Sequence, residues 1–195
     1  MRSTLVLLVL CFSAPPLVAQ IQTPADPVKK KARWIQEVAW APPASLDDLT
    51  AKAAAVAHVR FVSSRVIGIV RAAGNPDVAT EHTVEIVGVY KTNADHPLPV
   101  RQPVSILQTA GILELDDRII EVAEERPMPA GTEAVVFLRW NDVARRYHLV
   151  GPHGTFFVVK GRIRPAADWW EVALNRAGIP LANFCREISR EALRQ

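Results

Sequence analysis

From residue 56 to residue 160 the apolar positions recur mostly at every second residue, the period of a strand that alternates its side chains between two faces. Val56–Val62 alternates imperfectly, and Val66, Ile67, Ile69 and Val70 continue it with a density of β-branched residues that favours pleated backbone. The segment Thr80–Lys91 is a long strand: Val84, Ile86, Gly88 and Tyr90 share one face, and Thr83, Glu85, Val87, Val89 and Lys91 the other. Glu133–Trp140 sets Ala134, Val136, Leu138 and Trp140 against Val135 and Phe137, with Arg139 at the rim. Val100–Leu107 is a further strand in which Pro103 indicates an edge or a bulge. Ile119–Ala123 is a short apolar segment. Tyr147–Val150 and Thr155–Lys160, on either side of Gly151-Pro-His-Gly154, read as a hairpin-like pair.

Turn chemistry punctuates these runs. Ala72–Asp77 contains Gly74, Asn75 and Pro76; residues 92–97 form the polar loop TNADHP; Pro127, Pro129 and Gly131 form another. A parallel sheet would need crossovers of a dozen or more residues, usually helical, and the pattern offers none between residues 64 and 160. Six or seven short strands therefore predict a mainly β fold, a small antiparallel barrel or sandwich.

The flanks change period. Ser45 followed by Asp48 resembles a capping box and opens a short helix, Leu46–Ala55. Residues 20–44, rich in Pro, Ala and charge, read as an extended arm in which Trp34, Ile35, Val38, Ala39 and Trp40 suit a brief docked helix. Past residue 160, Ala166–Ala177 fits one helix, and Pro180 opens a second with Leu181, Phe184, Cys185, Ile188 and Ala192 on one stripe. That stripe predicts docking onto the strand domain, with partner or membrane-surface binding as the alternative. The organisation expected is a leader over 1–19, an arm over 20–44, a barrel over 45–160 and a helical extension over 161–195.

The leader, MRSTLVLLVLCFSAPPLVA, has Arg2 as a positive start, an apolar run from Leu5 to Phe12, and Ala19 before a cleavage point at Gln20. This is the layout of a secretory signal peptide, and its run is too short for roughly 30 Å of hydrocarbon. It predicts a periplasmic or secreted protein with no stable transmembrane span after processing. An uncleaved anchor, a buried N-terminal helix or lipidation at Cys11 are the other readings. Cleavage leaves Cys185 as the sole cysteine, so the interior must hold without an internal disulfide, with the thiol buried on its helix.

Composition narrows the picture a little further. Apolar residues at 49% and charged residues at 22% suit one globular core. The net charge of +3 is concentrated in Lys29, Lys30, Lys31 and Arg33, a basic arm rather than a basic face, which disfavours nucleic acid as a partner.

The order SLDDLTAKA, AAVAHVRFV, HTVEIVGVYKT, VRQPVSI, PAGTEAVVFLRW and YHLVGPHGTFFVV resembles exported bacterial domains of unassigned function that are similar to small netrin-type or TIMP-like OB barrels. The resemblance spans residues 45–160 and implies an OB-like barrel, with HTVEIVGVYKT as a long barrel strand and PAGTEAVVFL as a late one. The inhibitory members of that group reach a protease metal through a cysteine at the mature N-terminus. Here that position is Gln20, so the inhibitory activity does not carry over.

Chemistry is sparse in the sequence. No phosphate loop, HExxH, CxxC or GxSxG motif is present, so no catalytic set and no cofactor is expected. His58, His82, His96, His148 and His153 are isolated and read as surface or loop positions, with no metal site expected. Asp116, Asp117, Glu121, Glu124 and Glu125 read as the solvated face of an edge strand. Trp140, Tyr147, His148 and Phe156 are the candidate ligand contacts, because aromatic side chains on barrel strands can stack on ligands. The expected function is a non-enzymatic interaction or structural domain whose partner is another exported or envelope protein. The alternatives are a small envelope hydrolase or metal-dependent enzyme, and a single-stranded nucleic-acid-binding OB module.

Overall fold

The computed structural model describes residues 31–36, 41–70, 76–122 and 126–194. The leader, the rest of the basic arm, the Gly74 turn, and Glu124 and Glu125 lie outside the described residues. The fold is mainly β. Its elements in chain order are β1 (Ala32–Gln36), α1 (Leu46–Lys52), β2 (Ala55–Val70), β3 (Pro76–Lys91), β4 (Pro103–Gln108), β5 (Ile112–Glu114), β6 (Arg118–Val122), β7 (Glu133–Asn141), β8 (Arg146–Leu149), β9 (Thr155–Val159), β10 (Arg162–Pro165), α2 (Glu171–Leu174) and α3 (Leu181–Ala192).

Five strands pair in a ring, β7-β2-β3-β4-β8 and back to β7. Ring closure corrects the expectation of a purely antiparallel sheet. The β4–β8 pair, Ile106↔Tyr147 and Leu107↔His148, runs parallel, because β5, β6 and β7 supply the crossover between them. The expected hairpin of β8 with β9 is also absent. Both strands lie along the edge of β7 opposite β2, β8 against Leu138–Asn141 and β9 against Ala134–Val136. Between them a 3₁₀ turn, Pro152–Gly154, steps the chain sideways from the ring. Gly154 is required there: a Cβ would come within 3.0 Å of Val150 and 3.3 Å of Phe137.

The strand period fills two interiors. Ala55, Ala57, Val59 and Phe61 meet Val84, Ile86, Ile106, Ala134, Val136, Leu138, Tyr147 and Leu149 inside the ring, with Leu98 and Met128 closing gaps. The opposite face presents Val56, Val135, Phe137 and Phe156 to α1 and α3, which cover it with Leu46, Leu49, Phe184, Cys185 and Ile188. Fully burying each such large side chain stabilises by about 1.5–3 kcal/mol, so the two helices belong to the same folded body as the sheet. Ser45 caps α1 by accepting from Asp48 N at 3.0 Å, the cap legible in the sequence.

Register shifts in the β2–β3 pair alter two face assignments. Pairing skips Val87 and Tyr90 (His58↔Gly88 is followed by Val59↔Ile86, and Val56↔Lys91 by Ala57↔Val89). Tyr90 therefore joins the helix-covered core and Val89 the ring interior, each leaving the face that simple alternation gave it.

Beyond the ring, β2 and β3 continue as a ribbon. Val78 on this ribbon packs with Ile120 and Val122 of the small sheet β1-β6-β5. The first part of the Trp34–Trp40 patch is strand, not helix: Ala32–Gln36 pairs in parallel with Arg118–Val122, and these main-chain bonds override the one-turn spacing. The helix expected over Ala166–Ala177 contracts to Glu171–Leu174. Arg162–Pro165 is drawn into pairing with β9, and Ala166 N donates to Thr155 O at 2.9 Å, which holds the chain extended. Among the described residues no helix is long and apolar enough to cross a membrane.

Candidate functional site

The ring closes where β4, β8 and β7 meet, and the loop after β3 crosses that junction. Asp95 N donates to Asn93 Oδ1 at 3.0 Å, an Asx turn that starts the loop back toward the sheet. Leu98 is buried in the ring interior and anchors the return. Between this loop and the strand ends lies a cleft of about 460 Å³, lined by Asp95, His96, Pro97, Leu98, Pro99, Val104, Ser105, Trp140, Arg145, Arg146 and Tyr147. That volume suits a side chain or a small ligand.

Three rings build its apolar wall. His96 stacks on Trp140 with centroids 3.6 Å apart and planes at 13°. Tyr147 meets Trp140 edge-on at 5.1 Å, and its hydroxyl donates to the His96 carbonyl. Burial pushes the Tyr147 phenol above its ordinary pKa, so the hydroxyl keeps the proton this bond needs.

A buried carboxylate behind the cleft holds Ser105 and Arg146 of its polar wall. Glu81, on β3, accepts from Ser105 Oγ at 2.8 Å and from the guanidinium groups of Arg65 and Arg146. Burial alone would raise the Glu81 pKa. The Ser105 and Arg65 hydrogen bonds, with the positive charge of Arg146 and Arg65, outweigh it and hold the group below the usual carboxylate value. Arg146 is thereby fixed at the cleft. Its neighbour Arg145 is exposed, has no ion-pair partner among the described residues, and takes a positive φ of 49° in the turn between β7 and β8. Asn141 Oδ1 braces that turn by accepting from Ala144 N at 2.9 Å.

Of the four candidate contacts, the fold brings Trp140 and Tyr147 together and separates the other two. His148 is buried with its Nδ1 3.0 Å from the carbonyl of Leu149 and its Nε2 3.4 Å from Thr109 Oγ1. Phe156 is fully buried among Phe137 and Phe184, at ring distances of 5.8 and 4.7 Å, and is a core residue. The histidines also depart from expectation: His58, His82, His148 and His153 are buried, and His96 is half-buried. Burial depresses each of the four imidazoles below its ordinary pKa. His96 and Glu81 are the site residues that sequence reasoning did not select. His96 lies in a polar loop distant in sequence from its ring partner, and Glu81 shares a strand face with Thr83 and Glu85, where an acid has the pattern of a solvated position.

No protein-family model matches this chain, and no curated protein matches it.

Proposed function

We propose that this chain is an exported, non-enzymatic interaction domain on an OB-like barrel, and that the cleft over Trp140 receives a side chain of a partner protein in the cell envelope or outside the cell. The carrying observation is the wall of stacked His96 and Trp140 beside Arg145 and the fixed Arg146, an apolar floor with a cationic rim. Aromatic and arginine side chains in a desolvated pocket are the groups that dominate protein–protein hot spots. The OB-like reading draws support from the ring order: numbered in sequence, its five strands run first, second, third, fifth, fourth and back to the first, a Greek-key connectivity. From the netrin-type and TIMP-like resemblance the proposal takes a shape and not metal capture, since the proposed mature chain begins at Gln20.

A protein partner is favoured over single-stranded nucleic acid because two of the basic side chains around the site, Arg65 and Arg146, are committed to Glu81. A strand-binding groove instead needs a continuous track of cations for the phosphates.

The test is site-directed photo-crosslinking in cells, with a benzophenone amino acid at Arg145 and, as a control, at Arg186 on α3. Crosslinked protein bands at position 145 that vanish with Trp140→Ala, and are absent at position 186, support the reading. Equal or no crosslinking at the two sites rejects it. Sequencing the mature N-terminus tests export independently: a start at Gln20 is expected, and a start at Met1 removes that part of the proposal.

A further inference from the structure

On the inner side of the same sheet, at the end of the ring remote from the helices, three polar side chains line up across three strands. Ser64 of β2 lies opposite His82 of β3, and Ser64 Oγ is 2.7 Å from His82 Nδ1. His82 Nε2 is 2.9 Å from Gln108 Oε1 on β4. Gln108 Nε2 in turn donates to the Arg126 carbonyl at 3.1 Å.

This chain fixes the tautomer. The bond to Arg126 orients the Gln108 amide so that its oxygen faces His82, and an amide oxygen only accepts. His82 Nε2 must therefore carry the hydrogen. In the neutral ring, Nδ1 then offers its lone pair to the Ser64 hydroxyl. His82 is fully buried, whereas Ser64 is exposed, so the series runs from the interior to a residue at the surface.

We infer that Ser64 is a nucleophilic acyl-acceptor site, in which His82 takes the hydroxyl proton and Gln108 is the positioning residue that holds the imidazole. The substrate class is an activated carboxylic ester, and the site is independent of the cleft over Trp140.

Ser64 Oγ bonds to the carbonyl carbon while its proton passes to His82 Nδ1. The tetrahedral intermediate collapses, the bond from carbon to the leaving oxygen breaks, and a phenolate departs with the electron pair. His82 Nδ1 gives its proton to the departing phenolate, which leaves an ester on Ser64 and the imidazole neutral again. General-base assistance of this kind contributes about 10²–10⁴-fold. Burial lowers the imidazole pKa below 6.5, so His82 is a free base at neutral pH. The Met128 carbonyl, 3.0 Å from Ser64 Oγ, is a second acceptor for the same hydrogen and competes with Nδ1 in the resting protein. Full burial of His82 also excludes the water that deacylation would need to activate. The site should therefore acylate once and stop, a self-modification rather than a turnover.

The experiment is incubation of the folded full chain with p-nitrophenyl acetate near neutral pH, followed by peptide mass mapping. The expected result is a burst of one equivalent of p-nitrophenolate and one acetyl group on Ser64. Ser64→Ala should abolish both, and His82→Asn should slow the burst by about a hundredfold or more. Gln108→Leu provides a second readout. Losing the acceptor for Nε2–H makes the ring less basic, so the midpoint of the pH–rate profile should move to lower pH, a shift that a purely structural role would not produce. Circular dichroism confirms that each variant is folded. No burst from the folded wild type, acetylation elsewhere, or an unchanged rate in folded His82→Asn overturns the assignment. If His82→Asn does not fold, an unmoved midpoint in Gln108→Leu does so.

Discussion

The imidazole of His96 lies flat on the indole of Trp140, with ring centroids 3.6 Å apart, and this contact ties a polar loop to the strand that closes the ring. Stacked aromatic pairs contribute about 0.5–1.5 kcal/mol beyond their area. The hydroxyl of Tyr147 adds a bond to the backbone of the same histidine, which survives truncation of the side chain. His96→Ala should therefore lower stability by about 1 kcal/mol in urea titration while leaving the circular dichroism spectrum unchanged. It should also weaken crosslinking from position 145, because the floor of the cleft loses one of its rings.

Glu81 gives a second prediction, with a defined sign. Its folded-state pKa is depressed, so its contribution to stability is present above the unfolded carboxylate value of about 4.5 and is lost as pH falls through the folded value. Glu81→Gln keeps the shape but removes the charge that Arg65, Arg146 and Ser105 share. Hydrogen bonds to charged groups are each worth about 1.5–3 kcal/mol, and the two arginines are partly solvated. A loss of about 2 kcal/mol at pH 7 is expected. Melting temperatures from pH 7 to pH 3 should converge for the two proteins at the acid end, and parallel curves would contradict the role given to the carboxylate.

Much of the fold was legible locally, and the reasons for the rest are physical. Alternation in Glu133–Trp140 placed Ala134, Val136 and Leu138 in one interior and Val135 and Phe137 in the other, because β7 carries no register shift and both its faces are covered. The Ser45 cap was equally local. Skipped pairing at Val87 and Tyr90 was not readable, since a bulge is decided by the partner strand. The parallel β4–β8 pair likewise depends on a crossover made of strands, which leaves no helical signature in the sequence. β10 was not anticipated because Arg162–Pro165 has little strand pattern of its own and is recruited by β9. The candidate site was half legible: Trp140 and Tyr147 sit on strong strands, but nothing near His96 in the sequence points to its stacking partner. The function expected from the sequence stands as a proposal resting on this cleft.

The buried histidines predict an acid weakness near neutrality. His148 sits in the sheet with its imidazole pKa lowered first by burial and then by the charge of Arg139, against a bond to its own strand's backbone that raises it. An imidazole depressed on folding stabilises the native state above its unfolded value near 6.5, and that contribution is lost as pH falls toward the folded value. His58, His82 and His153 share the direction. The melting temperature should therefore fall measurably between pH 7 and pH 5, before the carboxylates titrate, and His148→Asn should make that decline shallower. A flat profile over this interval would mean that the imidazoles gain compensating partners on protonation.

Cys185 should behave as an inert thiol. It is buried on α3, and burial raises its pKa even though the Tyr90 hydrogen bond acts the other way. A thiol needs both access and a thiolate to react. Ellman's reagent at pH 8 should leave it unmodified in the native protein and modify it fully in guanidinium, and fast native-state reaction would show that α3 lifts from the sheet.

That last possibility is tested most directly at Phe184. Its ring is fully buried, 4.7 Å from Phe156, in the core that joins α1 and α3 to the outer face of the ring. The flanking Cys185 and Ile188 are buried on the same stripe, whereas Leu193, beside it in the sequence pattern, is 88% exposed. The docked surface is thus the stripe centred on Phe184 and does not extend to the end of the helix. Truncating a buried Phe typically costs about 3–5 kcal/mol, and a carboxylate at this position would also have to be desolvated beside the apolar sheet. Phe184→Asp should therefore lower the melting temperature sharply, while Leu193→Asp leaves it within a degree or so, about what an exposed substitution gives. Equal effects from the two variants, or none from the first, would mean that α3 is held by something other than its apolar stripe.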